Sequence, residues 1–506
     1  MTTTSRAEFA EQVRSARVVP VIRTLFADAL TPVGLYRSLA EGRTGGFLLE
    51  SAEQGGIWSR YSFIGVRSFG VLTESAGRAV WLPGTLDAQR AFGGEIPAPT
   101  LEALDTLYAR WRSPEVAGHP PLTGGLVGFI GWDAVRQVEN LPDAPPSDFP
   151  CPELAMAFVS ELIVMDHRQG TVSLIASALA DGTDDEASLW ADAQARLDAL
   201  EAALGEPAEP GIARIDLETA PRPQHRSTPA EFLAAVERSK AFIRDGDVFQ
   251  VVIGQRFDHE LSASPLDVYR VLRALNPSPY MYTLALETAE GSPYAIVGSS
   301  PEALVKVTRG RAYTHPIAGS RPRGDTPERD SELAEELLAD RKEQAEHLML
   351  VDLGRNDLSK VCRAGTVEVT EFMQVERFSH IMHLVSSVEG DLRDDATPID
   401  VFRATFPAGT LSGAPKPRAL EIIDELEPAR RGVYGGVVGY FAFSGDLDLA
   451  IAIRTAFLAD GVARVQAGAG LVADSVPEAE FQETISKAAA PLRAVAIANA
   501  LERGAR

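Results

Sequence analysis

Apolar residues recur at helical spacing in several places along the 506-residue chain. Phe232, Val236, Ala241 and Ile243 form an approximate stripe that predicts a helix over 229–244. A run rich in Ala, Asp and Leu predicts another over 184–204, and an Ala-rich helix closes the chain near Leu501. Between these helices, β-branched and aromatic residues bounded by Gly and Pro mark strands at 248–257, 295–298, 304–308, 436–442 and 462–468. Strands are frequent in both halves and helices intervene irregularly, which favours layered sheets flanked by helices, an α+β class, over a repeating βαβ unit. Residues 205–227 turn Pro- and Glu-rich and read as a solvated linker. Two interacting lobes are therefore expected, 1–204 and 228–506.

Composition narrows the partners. The chain carries 48 Lys and Arg against 71 Asp and Glu, a net charge of −23. Such a surface repels nucleic acid and anionic lipid, so neither is expected as a partner. A substrate with several negative charges would need a local cationic pocket or a bound cation. The two cysteines, Cys151 and Cys362, lie in unrelated contexts and suggest neither a disulfide framework nor a zinc site. The first residues lack a basic segment followed by an apolar one, and no apolar stretch approaches the roughly 18 residues of a membrane span. A cytoplasmic location is the expectation.

Two acidic segments stand out. Arg341-Lys-Glu-Gln-Ala-Glu-His-Leu-Met-Leu-Val-Asp-Leu reads as a helix, with Glu343, Glu346 and His347 expected on one face. Pro477-Glu-Ala-Glu-Phe-Gln-Glu-Thr-Ile-Ser-Lys starts a second, with Glu480, Glu483 and Lys487 grouped by the same rule. Mg²⁺ takes one or two carboxylates together with substrate oxygens and waters, so two such helices that meet would suit it. Taken alone, Glu and Lys at this spacing more often form a solvated, ion-paired face. Arg454 is expected inside an otherwise apolar strand, Ile451-Ala-Ile-Arg-Thr-Ala, and a buried Arg needs an anion, which suits a bidentate clamp on a carboxylate.

The second half also carries a series of unusual strings: Gly246-Asp-Val-Phe-Gln-Val-Val, Gly298-Ser-Ser-Pro-Glu302, Pro316-Ile-Ala-Gly-Ser-Arg-Pro-Arg-Gly and Glu346-His-Leu-Met-Leu-Val-Asp-Leu-Gly-Arg-Asn-Asp. Ser379-His-Ile-Met-His383, Phe406-Pro-Ala-Gly-Thr-Leu-Ser-Gly-Ala-Pro-Lys, Tyr434-Gly-Gly-Val-Val-Gly-Tyr440 and Gln466-Ala-Gly-Ala-Gly-Leu-Val follow. In order and wording, from about Thr228 to Leu492, they resemble the chorismate-binding enzymes: anthranilate, aminodeoxychorismate, isochorismate and salicylate synthases. The resemblance implies the fold of that family and a Mg²⁺ cofactor on Glu346 and Glu483, with Glu343 and Glu480 supporting its waters. It implies chorismate contacts from Gly319, Ser320, Tyr434, Arg454, Gly468, Ala469, Gly470 and Lys487. The family usually has Thr where this chain has Ser320; the hydroxyl is kept.

Within the family, the nucleophile distinguishes the members. Water-adding members have a Lys base at the position matching Gln250, and a neutral Gln cannot take a proton from water. Aminodeoxychorismate synthases often carry a nucleophilic Lys where this chain has Ala318. The pattern that remains is that of the anthranilate-forming members, in which ammonia adds at C2 and pyruvate is then eliminated. The resemblance assigns Glu302 as acid for the departing C4 hydroxyl and His383 as base for the C2 proton, a task suited to imidazole. Thr410 is expected to help place the substrate, while His347 and His380 read as structural or supporting. A chorismate enzyme of the aminodeoxychorismate type that dispenses with the Lys is the close alternative, and a silent tryptophan-sensing subunit a more distant one.

In the first half, Phe47-Leu-Leu-Glu-Ser51 resembles half of a tryptophan-binding strip, and Asn276-Pro-Ser-Pro-Tyr-Met281 its other half. By that resemblance Ser51 would meet the amino acid's polar end, and Pro279, Tyr280 and Met281 its indole. No Gly-x-Cys-x-Gly nucleophile elbow is present. Ammonia would then come from a separate small glutamine amidotransferase subunit, making a hetero-oligomer, with tryptophan as a feedback inhibitor.

Overall fold

In the computed structural model, residues 3–52, 60–206, 211–377 and 381–503 are described. Strand Leu154–Asp166 shows how the layers arise, because every one of its positions is buried. A strand covered on both faces reads as a continuous apolar run rather than an alternating one. Ala155, Ala157 and Val159 point into a core built from strand and loop residues, whereas Leu154, Met156 and Phe158 point into one shared with helices. After the bulges where Arg67 and Ser68 face Glu161 and Val159, the parity reverses and Leu162 and Val164 return to the strand-only core.

That strand-only core lies between layers of one continuous hydrogen-bonded sheet, and Phe47, Phe129, Tyr282, Ile296, Tyr440 and Phe457 fill it from both halves of the chain. Helices cover the outside. Thr100–Trp111, Pro398–Thr405 and Lys416–Leu426 pack on one outer core, and Glu186–Leu204, Pro265–Leu275 and Pro477–Asn499 on another. The result is the α+β arrangement of layered sheets flanked by helices that the periodicity predicts.

The expected helix over 229–244 forms as Pro229–Arg244, begun by a capping box between Thr228 and Glu231 with Pro at its first position. Glu186–Leu204 starts at an Asp185 cap. The acidic segment at 477 and the Ala-rich terminus form one helix, Pro477–Asn499, which runs through Pro491. Sheet pairing crosses the middle of the chain. Gly46–Glu50 pairs with Tyr280–Glu287, and Gly125–Ile130 with Val437–Ala442, both antiparallel. Within the stretch expected to be a solvated linker, Ala213–Arg214 pairs with Glu502–Arg503, and Gln224–His225 with Gln250–Glu260; residues 207–210 lie outside the described residues. Among the described residues, no helix is long and apolar enough to cross a membrane, and both cysteines are unbridged.

Three pairings position the site. Gln250–Glu260 runs antiparallel to Val462–Leu471, with Gly254 opposite Gly468. Ile381–Asp391 pairs with Ile317–Pro322 and sets His383 opposite Ser320, next to a bulge at Gly319. Tyr280–Glu287 and Pro293–Ser300 form a hairpin that ends just before Glu302.

Candidate active site

These elements converge on a cavity of about 1710 Å³. The expected acid, base and placing residues line it (Glu302, His383, Gln250, Thr410), and so do the four acidic side chains Glu343, Glu346, Glu480 and Glu483. Gly319, Ser320, Tyr434, Arg454, Gly468, Gly470 and Lys487 line it as well. Ala469 does not; its methyl is fully buried in the core, because neighbours along a strand face opposite sides.

Glu302 follows strand Pro293–Ser300, and its backbone N–H donates to Ser300 Oγ at 3.3 Å. Thr410 Oγ1 donates to Glu302 Oε1 at 3.1 Å, which leaves Oε2 to carry a proton. Enclosure by protein pushes the Glu302 pKa up to about 7, with the Thr410 hydrogen bond and the charges of Lys487 and Arg454 opposing the rise. A carboxyl of this kind is a proton donor near neutrality.

His383 Nδ1 donates to the Gly319 carbonyl at 2.8 Å. A carbonyl can only accept, so the basic lone pair lies on Nε2. Burial lowers the His383 pKa below the usual imidazole value, and the ring is neutral near pH 7. Gly319 itself has φ +63°, and a Cβ there would fall 3.0 Å from Glu343 Oε2. The left-handed backbone favours glycine at this position, and the carboxylate leaves little room for a Cβ.

Arg454 is not within a strand, as the apolar run suggested. Strands Leu447–Ile451 and Thr455–Ala459 stop on either side of it, and it sits in the bend with φ +49°. The first strand pairs with Val437–Ala442 and the second with Pro293–Ser300, so the chain turns from one partner strand to the next at this point. A non-glycine residue held in this conformation near a cavity is the kind of strain found at functional sites. Desolvation lowers the Arg454 pKa and nearby Glu302 acts in the opposite direction. A poorly hydrated guanidinium of this kind favours an incoming carboxylate.

At the acidic end, Gln250 Nε2 donates to Glu346 Oε1 at 3.4 Å. Lys487 Nζ lies 2.6 Å from Glu483 Oε1 and also donates to the Gly468 carbonyl at 3.1 Å. Burial raises the Glu343 pKa, with repulsion from Glu346 and Asp340 adding to it, and burial likewise raises that of Glu480, with Glu483 adding. Lys342, Glu343 and Glu346 from the start of Arg341–Ser359 and Glu480 and Glu483 from the start of Pro477–Asn499 line the same cavity. Crowded carboxylates with raised pKa values favour a cation, and an all-oxygen set suits Mg²⁺ or Ca²⁺ rather than a softer metal. Among the described residues no three metal-binding side chains form a ready-made cage, which a magnesium ion held by one or two carboxylates, waters and substrate does not require. His347 does not share the face of Glu343 and Glu346. It is fully buried and its Nε2 meets Ser386 Oγ at 2.6 Å, since a step of one residue from Glu346 turns the side chain by about 100°. His380 lies outside the described residues.

The same cavity extends to Glu50, Ser51, His167, Asn276 and Pro279. Ser51 follows strand Gly46–Glu50, and its Oγ is buried without a hydrogen-bond partner among the described residues. Glu50 accepts from Tyr269 Oη at 2.5 Å and from Arg273 Nε at 2.6 Å. Met281 is instead packed in the core. Tyr280 faces a separate cavity of about 190 Å³ and donates to Asp448 Oδ1 at 3.0 Å. Of the expected indole contacts, only Pro279 borders both cavities. Lys342, Glu50 and His167 also line the cavity; no residue pattern marks them for a role there, and packing alone brings them to it.

The family model describing chorismate binding enzymes matches residues 77–493. Over 499 residues the chain is 56% identical to anthranilate synthase component 1 of Arthrobacter globiformis, covering 98% of this chain and 93% of that protein. It is 50% identical to the protein of the same name from Mycolicibacterium smegmatis, covering 99% and 95% of the two chains. Its fold matches the crystal structure of anthranilate synthase component I from Streptococcus pneumoniae with a TM-score of 0.75 and 35% identity, over 93% of this chain and 99% of that one.

Proposed function

The chain belongs to the chorismate-binding enzymes, in the anthranilate synthase component I group, and from that premise we propose how its residues divide the work of converting chorismate to anthranilate. Glu302 protonates the C4 hydroxyl as it leaves, while ammonia adds at C2. His383 Nε2 then takes the C2 proton as pyruvate is eliminated and the ring becomes aromatic. The observation that carries this reading is the pair itself. A carboxyl whose pKa is pushed up to about 7 and an imidazole kept neutral by burial line one cavity. Their environments move the two groups toward opposite roles, donor and acceptor.

Arg454 and Lys487 hold the substrate's carboxylates, and Tyr434, Ser320 and the backbone around Gly319, Gly468 and Gly470 shape the cavity around its ring. Ala469 contributes through its backbone. Gln250 and Ala318 supply neither a base for water nor a nucleophile, which supports ammonia as the attacking group. Glu346 and Glu483 would hold Mg²⁺, with Glu343 and Glu480 supporting its waters. When bound, the ion supplies positive charge for a substrate carboxylate. The raised pKa values of Glu343 and Glu480 support that fit. Ammonia is supplied by a separate glutamine amidotransferase subunit.

With chorismate, Mg²⁺ and ammonium salts, the purified protein is expected to release pyruvate and a fluorescent ortho-substituted aromatic amine. Chromatographic identification of a para-substituted product, or no turnover, would overturn the reading. Tryptophan occupies the far end of the cavity and inhibits. The Ser51 Oγ, buried without a partner among the described residues, supports this, because such a hydroxyl costs stability unless a ligand fills the gap. Ser51→Ala is expected to raise the tryptophan concentration for half-inhibition by about 10-fold, the loss of roughly one hydrogen bond to a charged group, with kcat little changed. An unaltered inhibition curve would remove Ser51 from the effector site.

A further inference from the structure

Glu427 and Arg431 form an ion pair in the protein interior, with side chains only 4% and 1% exposed and Arg431 Nη2 2.6 Å from Glu427 Oε1. Nothing in the chemistry above uses them. A buried pair is seldom the most stabilising choice for a core, since well-packed apolar residues of the same volume often do as well or better. Its partners therefore matter.

Strand Gln250–Glu260 is flanked on one edge by Gly413–Ala414 at Gln250 and Val251, and by Gln224–His225 at Phe257 and Asp258. Among the described residues, the stretch between has no strand on that edge. There Arg431 Nη2 donates to the Val252 carbonyl at 2.8 Å, and the Gly254 N–H donates to Glu427 Oε1 at 2.7 Å. The ion pair supplies one donor and one acceptor, as a neighbouring strand would. Arg431 also reaches two further parts of the site. Its Nη1 donates to the Leu411 carbonyl at 2.7 Å, directly after Thr410. Its guanidinium lies 4.2 Å from the Trp132 ring centroid and 5.4 Å from that of Tyr434. Tyr434 is in turn pressed against the far strand, since a Cβ on Gly468 would fall 2.7 Å from its hydroxyl.

We propose that the Glu427–Arg431 pair is a positioning brace that fixes Thr410 against Glu302 and holds Gln250 and Tyr434 in register around the substrate. One rigid fork ties together three segments distant in sequence. Only Arg has enough donors in fixed directions to reach Val252, Leu411 and Glu427 at once. Thr410 and Glu302 meet through a single hydrogen bond, and the brace is attached one residue from its donor. A shift of about 1 Å in such a contact can cost about 100-fold in rate.

This inference rests on Glu302 being the acid, so the experiment separates the two. Arg431→Lys keeps the charge and loses the fork. It is expected to fold, to leave the chorismate KM within about 3-fold, and to lower kcat by about 10- to 100-fold. The Thr410 hydrogen bond lowers the Glu302 pKa, so its loosening moves the alkaline limb of the kcat profile to higher pH. Thr410→Val is expected to move the limb the same way, and the double variant to be little worse than either single one. Glu427→Gln, which keeps an acceptor for Gly254 while releasing the charge on Arg431, should show the same shift in smaller measure and serves if Arg431→Lys does not fold. Wild-type kcat and pH profile in folded variants, or effects of Arg431→Lys and Thr410→Val that simply multiply, would overturn the brace. If Glu302→Gln instead retains full activity, the assignment of the acid fails, whereas wild-type behaviour of Arg431→Lys beside an inactive Glu302→Gln overturns the brace alone.

Discussion

Glu302→Gln is expected to lower kcat by roughly 100- to 10,000-fold, the usual worth of a positioned general acid, with a much smaller change in KM. Gln keeps the shape and can still accept from Thr410 Oγ1, but has no acidic proton for the leaving hydroxyl. The pH dependence gives the sharper readout. With Glu302 as the proposed acid, its protonated form is the active one, and turnover is expected to fall as pH rises through about 7. With His383 as the proposed base, its neutral form is the active one, and turnover is expected to rise with pH through a value below the ordinary imidazole pKa. The wild-type profile is expected to be a narrow bell bounded by these two groups. In Glu302→Gln the alkaline limb is expected to disappear. Stopped-time assays of pyruvate release across pH measure both effects, and an alkaline limb that persists would assign it to another group.

Glu483→Ala is expected to abolish Mg²⁺-dependent turnover. Losing even an outer partner of a metal ligand typically costs about 10- to 100-fold in affinity or activity, so losing a direct ligand should exceed about 100-fold. Glu483 is also the partner of Lys487 at 2.6 Å, and the same change releases that ammonium. Calorimetric titration of Mg²⁺ into the chorismate-bound protein separates the two consequences. Glu483→Ala should lose the binding isotherm, whereas Lys487→Met should retain it and bind chorismate more weakly. Unchanged Mg²⁺ affinity in Glu483→Ala would remove it from the metal site.

Much of the site was legible because its chemistry is local in sequence. Glu343 with Glu346, and Glu480 with Glu483, stand three apart on helices, and each pair lines the cavity. Periodicity places such residues relative to each other whatever the tertiary fold. It fails where the tertiary structure takes one position of a stripe for another purpose. His347 belongs to the same turn as Glu346 but is buried against Ser386. Arg454 lies in an apolar run that looks like one strand, yet the chain changes partner strands there, and a bend appears where only an interruption in pairing could have revealed it. Glu427 and Arg431 have the i, i+4 spacing of an ordinary surface ion pair. Only the placement of Val252, Gly254 and Leu411 around them shows that the pair is interior. The fold class was legible from the scatter of strands and helices. The strand-only core between the layers was not, because a bulge that reverses strand parity leaves no trace in composition.

The antiparallel pairing of Gly46–Glu50 with Tyr280–Glu287, and of Gly125–Ile130 with Val437–Ala442, has a consequence for inheritance. Severing the chain near its middle would leave each piece with raw hydrogen-bonding edges that only the other piece satisfies. Chimaeras that swap one half between relatives must therefore match across these seams residue by residue, and natural recombination at the midpoint is penalised in the same way. The two ends of the cavity are expected to pass down lineages as a single heritable block.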